Sequence, residues 1–425
     1  MPMKLLIKRY DSHFFRTLLL LSGLGFIAHV LMSIFISPIP QSDALDYHNH
    51  ALRLAENYSF TSNGIPTAYR PIGFPAVLSV FYMIWTHSIS GFILQSFLVS
   101  CTALLLALHL KDHQVSNGIS YAGLILYLLL PMTWIQSMTF MSEPLAIACM
   151  MLGIYIHDAS QGMKSRFMEG FCWGIAILTR PIMVFSVIAI LIHDFMKGSR
   201  NNIIACSIGI LIVILPWMIR NAIVMGSPMI ASNTGINLYI GHHPEANGSY
   251  HYVEEMNRFD HVSEVEASTS AMKSALQFIM NDPLHSILLI PKKIAFLFAS
   301  DAYLPLQSFD ISGNTYTEKM HNLPWWSYLL IIPGGLIMCI GMTHGKELLQ
   351  MNYGLRNSAL IIGMIIPCAI FFGTPRYHEP MIPFMLIALL LGFAKRRSLI
   401  GTLTVYAIPL FIIWLFEYYL IFSHS

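Results

Sequence analysis

Long apolar runs, separated by short polar segments, dominate the hydropathy pattern of this chain. The runs lie near positions 18–36, 91–110, 118–137, 142–157, 168–180, 181–196, 202–220, 324–343, 357–373, 378–394 and 398–420. Because about 20 apolar residues in a helix span a bilayer, the pattern predicts an all-α polytopic membrane protein with about eleven transmembrane helices. Runs 168–180 and 181–196 are short for complete spans, so we expect half-buried helices that meet at Thr179-Arg180-Pro181.

The segment 38–90, directly after the first apolar run, is unusually polar for a loop beside a membrane. Ser42 is expected to be the N-cap of a helix that lies along the membrane surface. The apolar stretch 71–87 contains Gly73 and Pro75, which interrupt it. We therefore expect interfacial helices in this first outer loop instead of a further span.

A second polar segment separates the apolar runs into two groups. Residues 223–323 predict a mixed extracytoplasmic loop region, with an amphipathic helix near 262–280 and an apolar interfacial helix near 284–300. The chain thus divides into a membrane module over 1–222, this loop region, and C-terminal transmembrane helices over 324–425.

Composition supports the membrane assignment and excludes other classes. Hydrophobic residues make up 55% of the chain, charged residues 11%, and the mean hydropathy is +0.61. Soluble domains average about 25% charged residues. The net charge of +2 gives no support for a nucleic-acid partner. The six cysteines show neither a zinc-binding spacing nor a disulfide framework.

Basic residues predict the orientation. If 71–87 stays at the outer surface, basic loop residues fall on the cytoplasmic side, as the positive-inside rule requires. These residues are Lys111, Lys164, Arg166, Lys197, Arg200, Lys346, Arg356, Lys395, Arg396 and Arg397. We expect a multi-pass protein of the cell inner (cytoplasmic) membrane with its C-terminus outside.

This topology brings carboxylates and arginines to one membrane face. They are Asp43, Asp46, Arg70, Glu143, Arg180, Arg220 and Arg376. Charged groups at that depth are costly unless they pair or bind a ligand, so a shared anionic ligand is expected. Simpler roles remain open. Asp43, Asp46 and Glu143 would then only stabilise the first turns of helices through the helix dipole, and Arg180 would only extend its charged end to the membrane surface.

Several short motifs in these loops resemble one family of membrane enzymes. They are Asp43-x-x-x-Tyr47-x-x-x-Ala51, Arg70-Pro71-x-Gly73-Phe74-Pro75, Glu143-Pro144, Thr179-Arg180-Pro181, Pro216-Trp217-x-x-Arg220-Asn221 and Arg376-Tyr377. Together they are similar to GT-C membrane glycosyltransferases, most closely to the bacterial branch related to protein O-mannosyltransferases and the lipid A aminoarabinose transferase. Many members carry a second acid directly after the loop aspartate, where this chain has Ala44.

The resemblance implies a GT-C fold and a glycosyltransferase that uses a polyprenyl-phosphate-linked sugar, inverts the anomeric carbon, and works at the outer face of the membrane. The acceptor would be a glycan, a lipid or a protein. Asp43 would be the base, with Asp46 as second candidate and Glu143 orienting acceptor or ion. The phosphate would be held by Arg70, Arg180, Arg220 and Arg376, and substrate contacts would come from Tyr47, Tyr69, Asn221 and Tyr377. Independently of the resemblance, Lys292 and Lys293 in the apolar stretch 284–300 depart from the positive-inside pattern, so we expect them to contact lipid phosphate or substrate.

No cofactor is required by the sequence, although a divalent metal through Asp43, Glu143 or His50 stays open. The chain has no Gly-rich nucleotide loop and no nucleotide-sugar motif. Two other classes fit parts of the pattern: a transporter or flippase of lipid-linked sugars, and an outer-face glycan polymerase or ligase. A transporter is expected to show internal symmetry between its halves, which this sequence lacks.

Overall fold

The computed structural model describes residues 9–299 except 161 and 252, parts of 311–350, and residues 354–395. This part of the chain is almost entirely helical, as the apolar runs predict. The predicted span 398–420 and most of 324–343 lie outside the described residues.

Residues 9–225, as far as the structure describes them, form ten helices. They are α1 (Ser12–Ile36), α2 (Ser42–Asn57), α3 (Gly73–Ile84), α4 (Ser88–Asp112), α5 (Asn117–Leu129), α6 (Pro131–Met138), α7 (Glu143–Ala159), α8 (Met163–Thr179), α9 (Met183–Met196) and α10 (Arg200–Met225). Between α2 and α3, strands β1 (Thr61–Ser62) and β2 (Ile65–Pro66) form a short antiparallel hairpin. The hairpin leads into residues 67–72, which we call the Arg70 loop.

The remaining described helices follow the second polar segment. They are α11 (Thr234–Gly241), α12 (Glu264–Asn281), α13 (Pro283–Leu297), α14 (Gly345–Leu349), α15 (Gly354–Ile370) and α16 (Ile382–Ala394), with 3-10 turns at Glu254–Phe259, Pro375–Tyr377 and Glu379–Met381. Helices α12 and α13 match the helices expected near 262–280 and 284–300.

Four stretches are long and apolar enough to cross a membrane: α1, α4, α10 and Pro375–Ala394. These spans make the chain a membrane protein, and its outer helices expose apolar side chains on the surface of the bundle. In α1, Leu24 and Leu31 are largely exposed. In α10, Ile212 and Ile219 are likewise exposed. By contrast, α4 and the last stretch are mostly buried inside the bundle.

The span predicted over 118–137 consists of two helices instead of one. Helices α5 and α6 meet at a bend of 55°, and together they count as at most one broken span. Pro131 lacks an N–H and its ring crowds the preceding turn, which explains the break. Within the described residues, length and composition support four spans, or five with this pair, so the count of about eleven stays a prediction.

The helices run back and forth between two ends of the bundle. We call the end that holds Asp43, Glu143 and Arg180 the site end. Gln95 in the first half of α4 donates to the carbonyls of Thr139 and Met141 at 2.7 and 2.8 Å, which places α4 beside the start of α7 at this end. Both helices then run to the opposite end. Helix α8 returns to the site end, where Arg180 follows it.

Glycines allow α8 and α10 to pack closely. A Cβ on Gly170 would overlap the carbonyl of Cys206, and one on Gly209 would overlap that of Phe167. Small residues at a helix interface let two backbones approach, which is a main source of helix association in membranes. This contact holds Arg180, at the end of α8, in a fixed position relative to α10.

The polar segment after α10 folds back over the site end. Glu264, at the start of α12, accepts hydrogen bonds from the Ala68 amide at 3.0 Å and the Ser232 hydroxyl at 2.7 Å. The amide of Ser232 donates to the carbonyl of Ala68 at 2.9 Å. These bonds join the first outer loop, just before Arg70, to the later loop region, so the two together enclose a cavity.

Candidate functional site

A cavity of about 1070 Å³ lies at the site end, between the first outer loop and the later loop region. Its walls come from the start of α2, the Arg70 loop, the α8–α9 turn, α11 and the segment before α16. The charged and aromatic lining residues are Asp43, Tyr47, Tyr69, Arg70, Arg180, Phe185, Tyr250, His251, Phe296, Phe371, Phe372, Arg376 and Tyr377. Among the described lining residues, Asp43 contributes the only carboxylate.

Asp43 lies between two arginines from distant parts of the chain. Its Oδ1 is 2.7 Å from Arg70 and its Oδ2 is 2.6 Å from Arg376. Helix α2 begins at Ser42, and no side chain caps it, so the expected N-cap role of Ser42 is wrong. One turn later, Asp46 pairs with Arg70 at 2.8 Å. Asp46 does not line the cavity, and its side chain is about half exposed.

A second carboxylate, Glu143, holds the arginines from behind the cavity wall. It is the first residue of α7 and is 1% exposed. Its Oε1 is 2.8 Å from Arg376 and also pairs with Arg180. Arg180 follows the last residue of α8, and Arg376 lies in the 3-10 turn before α16. Glu143 is therefore positioned to orient the guanidinium groups instead of meeting a ligand directly.

We call these six residues the ionic cluster: Asp43, Asp46, Glu143, Arg70, Arg180 and Arg376. The cluster contains equal numbers of carboxylates and guanidinium groups, joined by the ion pairs above. Its formal charge is balanced. An anion that enters the cavity must therefore compete with a carboxylate for the arginines, and Asp43 is the carboxylate it meets.

Electrostatics keep Asp43 ionised in this arrangement. Burial by itself raises the pKa of the Asp43 carboxyl, but Arg376 and Arg70 outweigh burial and hold the pKa below its ordinary value of 3.8. Burial disfavours the charged form of Arg70, yet Asp43, Tyr47 and Asp46 raise its pKa above the ordinary value. While both arginines hold it, Asp43 is a weak base.

The tyrosines predicted to contact substrate surround the ionic cluster. The Tyr47 ring packs edge-on against Phe74, with centroids 5.7 Å apart. Tyr69 is 41% exposed and lies 5.3 Å from the Arg70 guanidinium. The Tyr377 ring lies 5.9 Å from the guanidinium of Arg180. Burial raises the pKa of the Tyr69 phenol, so it remains a hydrogen-bond donor at neutral pH.

Arg220 and Asn221 lie apart from the ionic cluster. Arg220 donates to the carbonyls of Thr67 at 3.0 Å and Phe60 at 2.9 Å, and it stacks 4.9 Å from the Trp217 ring. Asn221 is fully buried and donates to the carbonyl of Met229 at 2.7 Å. Neither residue lines the cavity. In this structure both residues hold loops that form the cavity wall.

Lys292, Lys293 and His50 also lie outside the cavity lining. Lys292 is exposed on α13. Lys293 is fully buried, with its Nζ 3.0 Å from His242 Nε2. Burial lowers the pKa of Lys293 to about 8. His50 stacks on Phe60 at 4.5 Å, and no metal-binding group of three described residues includes it, Asp43 or Glu143.

The structure adds lining residues that were not predicted as site residues. Asn233, Thr234 and Asn237 at the start of α11, together with Asn247 and Ser249, present amide and hydroxyl groups to the cavity. The concentration of Asn and Ser between 232 and 249 is the sequence feature from which these lining residues could have been predicted. Amides and hydroxyls are both donors and acceptors, which suits a polyhydroxylated ligand.

No protein-family model and no curated protein matches this chain. The likeness of the Asp43 loop to outer-face glycosyltransferases is therefore a likeness of short motifs. The cavity brings together one carboxylate, three arginines and a polar wall, at one end of a membrane helix bundle.

Proposed function

We propose that this protein is a glycosyltransferase of GT-C type that moves a sugar from a polyprenyl-phosphate donor to an acceptor hydroxyl at the outer face of the cytoplasmic membrane. The main support is the cavity, in which Asp43 faces Arg70, Arg180 and Arg376. Guanidinium groups pair with phosphate oxygens in a bidentate way, and a lone carboxylate suits a general base.

In the proposed reaction, the acceptor oxygen attacks the anomeric carbon while Asp43 takes the hydroxyl proton. A bond forms between the acceptor oxygen and this carbon, and the bond from the carbon to the phosphate oxygen breaks. The polyprenyl phosphate leaves with the electron pair, and the arginines stabilise the charge that develops on it. Attack opposite the leaving group inverts the anomeric configuration.

Donor binding is proposed to activate the base. The donor phosphate competes with Asp43 for Arg70 and Arg376, which hold Asp43 at 2.7 and 2.6 Å. When an arginine turns to the phosphate, its lowering effect on the Asp43 pKa weakens and the buried carboxylate becomes a stronger base. Asp46 and Glu143 keep the arginines in place meanwhile. This order of events favours Asp43 over Asp46 as the base.

The cavity lining also has an apolar side and a polar side, which suit the prenyl chain and the sugar of the donor respectively. Ile182, Phe185 and Met218, from the start of α9 and the end of α10, give the cavity an apolar side. We assign this side to the first prenyl units of the donor, and the polar wall near Asn233 and Ser249 to sugar or acceptor hydroxyls. A divalent ion at Asp43 or Glu143 is not needed for these steps.

The decisive experiment compares Asp43→Asn with Asp46→Asn in the purified full chain. Both changes remove one charge from α2, and both residues pair with Arg70, but only Asp43 lines the cavity. Transfer of label is measured from a radiolabelled polyprenyl-phosphate-sugar fraction of the host membrane to extracted acceptors. We expect Asp43→Asn to lose about 10²–10⁴-fold in rate, and Asp46→Asn to lose tenfold or less.

Wild-type rates in Asp43→Asn, or the larger loss in Asp46→Asn, would contradict the assignment of the base. If the wild type moves labelled lipid between leaflets without transferring sugar, the glycosyltransferase proposal fails and the flippase alternative is supported.

A further inference from the structure

Three potential metal ligands converge at the opposite end of the bundle, away from the cavity. His109 lies in the last turn of α4, His113 follows the last residue of α4, and Asp158 lies in the last turn of α7. The two helix ends are adjacent. Arg9 connects them, since it forms an ion pair with Asp112 at 2.7 Å and donates a hydrogen bond to the carbonyl of Ala159 at 2.9 Å.

The geometry of these side chains suits one ion. One ligand atom from each of the three lies within 4.8 Å of the others. His109 Nδ1 is 3.1 Å from Asp158 Oδ2, and the two imidazole centroids are 4.9 Å apart. Histidines four positions apart lie on the same face of a helix, the spacing that helical zinc sites use. A carboxylate from a neighbouring helix completes the set.

Their polar atoms lack other partners in the described part of the chain. Apart from the approach of His109 Nδ1 to Asp158 Oδ2, both ring nitrogens of His109, Nε2 of His113 and both carboxylate oxygens of Asp158 are buried without a hydrogen bond. His109 is 1% exposed and the Asp158 side chain 7%. The adjacent Asp112 is already engaged by Arg9 and Tyr10. Buried polar groups are nearly always satisfied, so this concentration of unsatisfied atoms points to a shared ligand.

We propose that His109, His113 and Asp158 bind a divalent transition-metal ion, most readily Zn²⁺. Two imidazoles and a carboxylate are ligands that Zn²⁺ accepts, with water in the fourth position. The ends of α4 and α7 direct the negative poles of their dipoles towards the ion. The ion would join these two helix ends, a role that is independent of the proposed sugar transfer.

The competing explanation is a plain charge pair between protonated His109 and Asp158. A pair of that kind needs neither His113 nor a metal, whereas the ion needs all three ligands. Substitution of His113 therefore separates the two explanations, and His113, less buried than His109, is the safer position to change.

The experiment uses the full chain, purified in detergent without a histidine tag and stripped with a chelator. Binding of ZnCl₂ is measured by competition with a chromogenic chelator, and the coordination by the visible absorption of the CoCl₂-loaded protein. The variants are His113→Gln and Asp158→Asn. The matched control is His13→Gln, an exposed histidine at the start of α1.

We expect one tight ion in the wild type and in His13→Gln, with the intense visible bands of tetrahedral Co²⁺. Loss of one ligand should weaken binding by tenfold or more, since even second-shell changes cost about 10–100-fold. If His113→Gln binds Zn²⁺ as tightly as the wild type, or if the wild type binds no stoichiometric ion, the proposal is overturned. If Asp158→Asn does not fold, the comparison of His113→Gln with the wild type is sufficient for the test.

Discussion

Glu143→Gln tests whether the ionic cluster is held together from behind the cavity. The change keeps the side-chain volume and removes one buried negative charge. Arg376 retains Asp43 as a partner at 2.6 Å, but Arg180 loses the carboxylate that pairs with it. The exposed fractions of the Arg180 and Glu143 side chains are 7% and 2%, so water screens this pair very little.

Removing one partner of a buried ion pair costs about 3–5 kcal/mol, because the other charge stays buried without compensation. Unfolding entropy of about 2.1 cal/mol/K per residue gives this chain of 425 residues about 0.9 kcal/mol/K, so each kcal/mol shifts the thermal midpoint by about 1 °C. We therefore expect the midpoint of Glu143→Gln to fall by about 3–5 °C. Intrinsic fluorescence of the detergent-solubilised protein during heating measures it.

The matched control is Glu266→Gln, the same change at an exposed position in the first turn of α12. Its expected shift is about 0.5 °C or less, since exposed substitutions stay within about 0.5 kcal/mol. A fall in Glu143→Gln no larger than in this control would refute the reasoning, because Arg180 would then be compensated by other groups. Addition of polyprenyl phosphate should raise the midpoint of Glu143→Gln more than that of the wild type, since its arginines are less neutralised.

Two further predictions concern Lys293 and Gly73. The buried Lys293 has a pKa of about 8 against an ordinary value of 10.5, so the unfolded chain binds more protons between these pH values. The free energy of unfolding of the wild type should therefore rise as the pH increases from 8 to 10.5. Lys293→Met removes the titrating group and should abolish this rise. Thermal unfolding at pH 7.5, 9 and 10.5 measures both. A Cβ on Gly73 would overlap Thr179, next to Arg180, so Gly73→Ala should cost about 1–3 kcal/mol and slow sugar transfer. Gly23→Ala, which meets open space, is the control, and equal midpoints and rates in both variants would contradict the prediction.

The amino-acid sequence was sufficient to predict the class of protein and most of the described helices. Apolar runs such as 91–110 and 202–220 became α4 and α10, because a bilayer requires uninterrupted hydrogen-bonded helices of that length. All six members of the ionic cluster were also identified from the sequence, because charged groups beside apolar runs are rare and are retained where they pair or bind a ligand.

Which charged groups meet could not be predicted from the sequence, because it depends on how distant parts of the chain fold together. Arg376 reaches Asp43 across 333 positions of chain, and no local period constrains such a pair. For the same reason the sequence placed Arg220 with the phosphate ligands, whereas the fold turns it towards the carbonyls of Phe60 and Thr67.

For the same reason the sequence did not predict that Lys293 is buried or that His109 lies beside Asp158. Both arise where separate helices pack, at α13 against α15 and at the ends of α4 and α7. Hydrophobic periodicity predicts that a helix forms and which residues it contains. The partner that each polar side chain finds depends on how the helices pack, and that packing is a property of the whole chain.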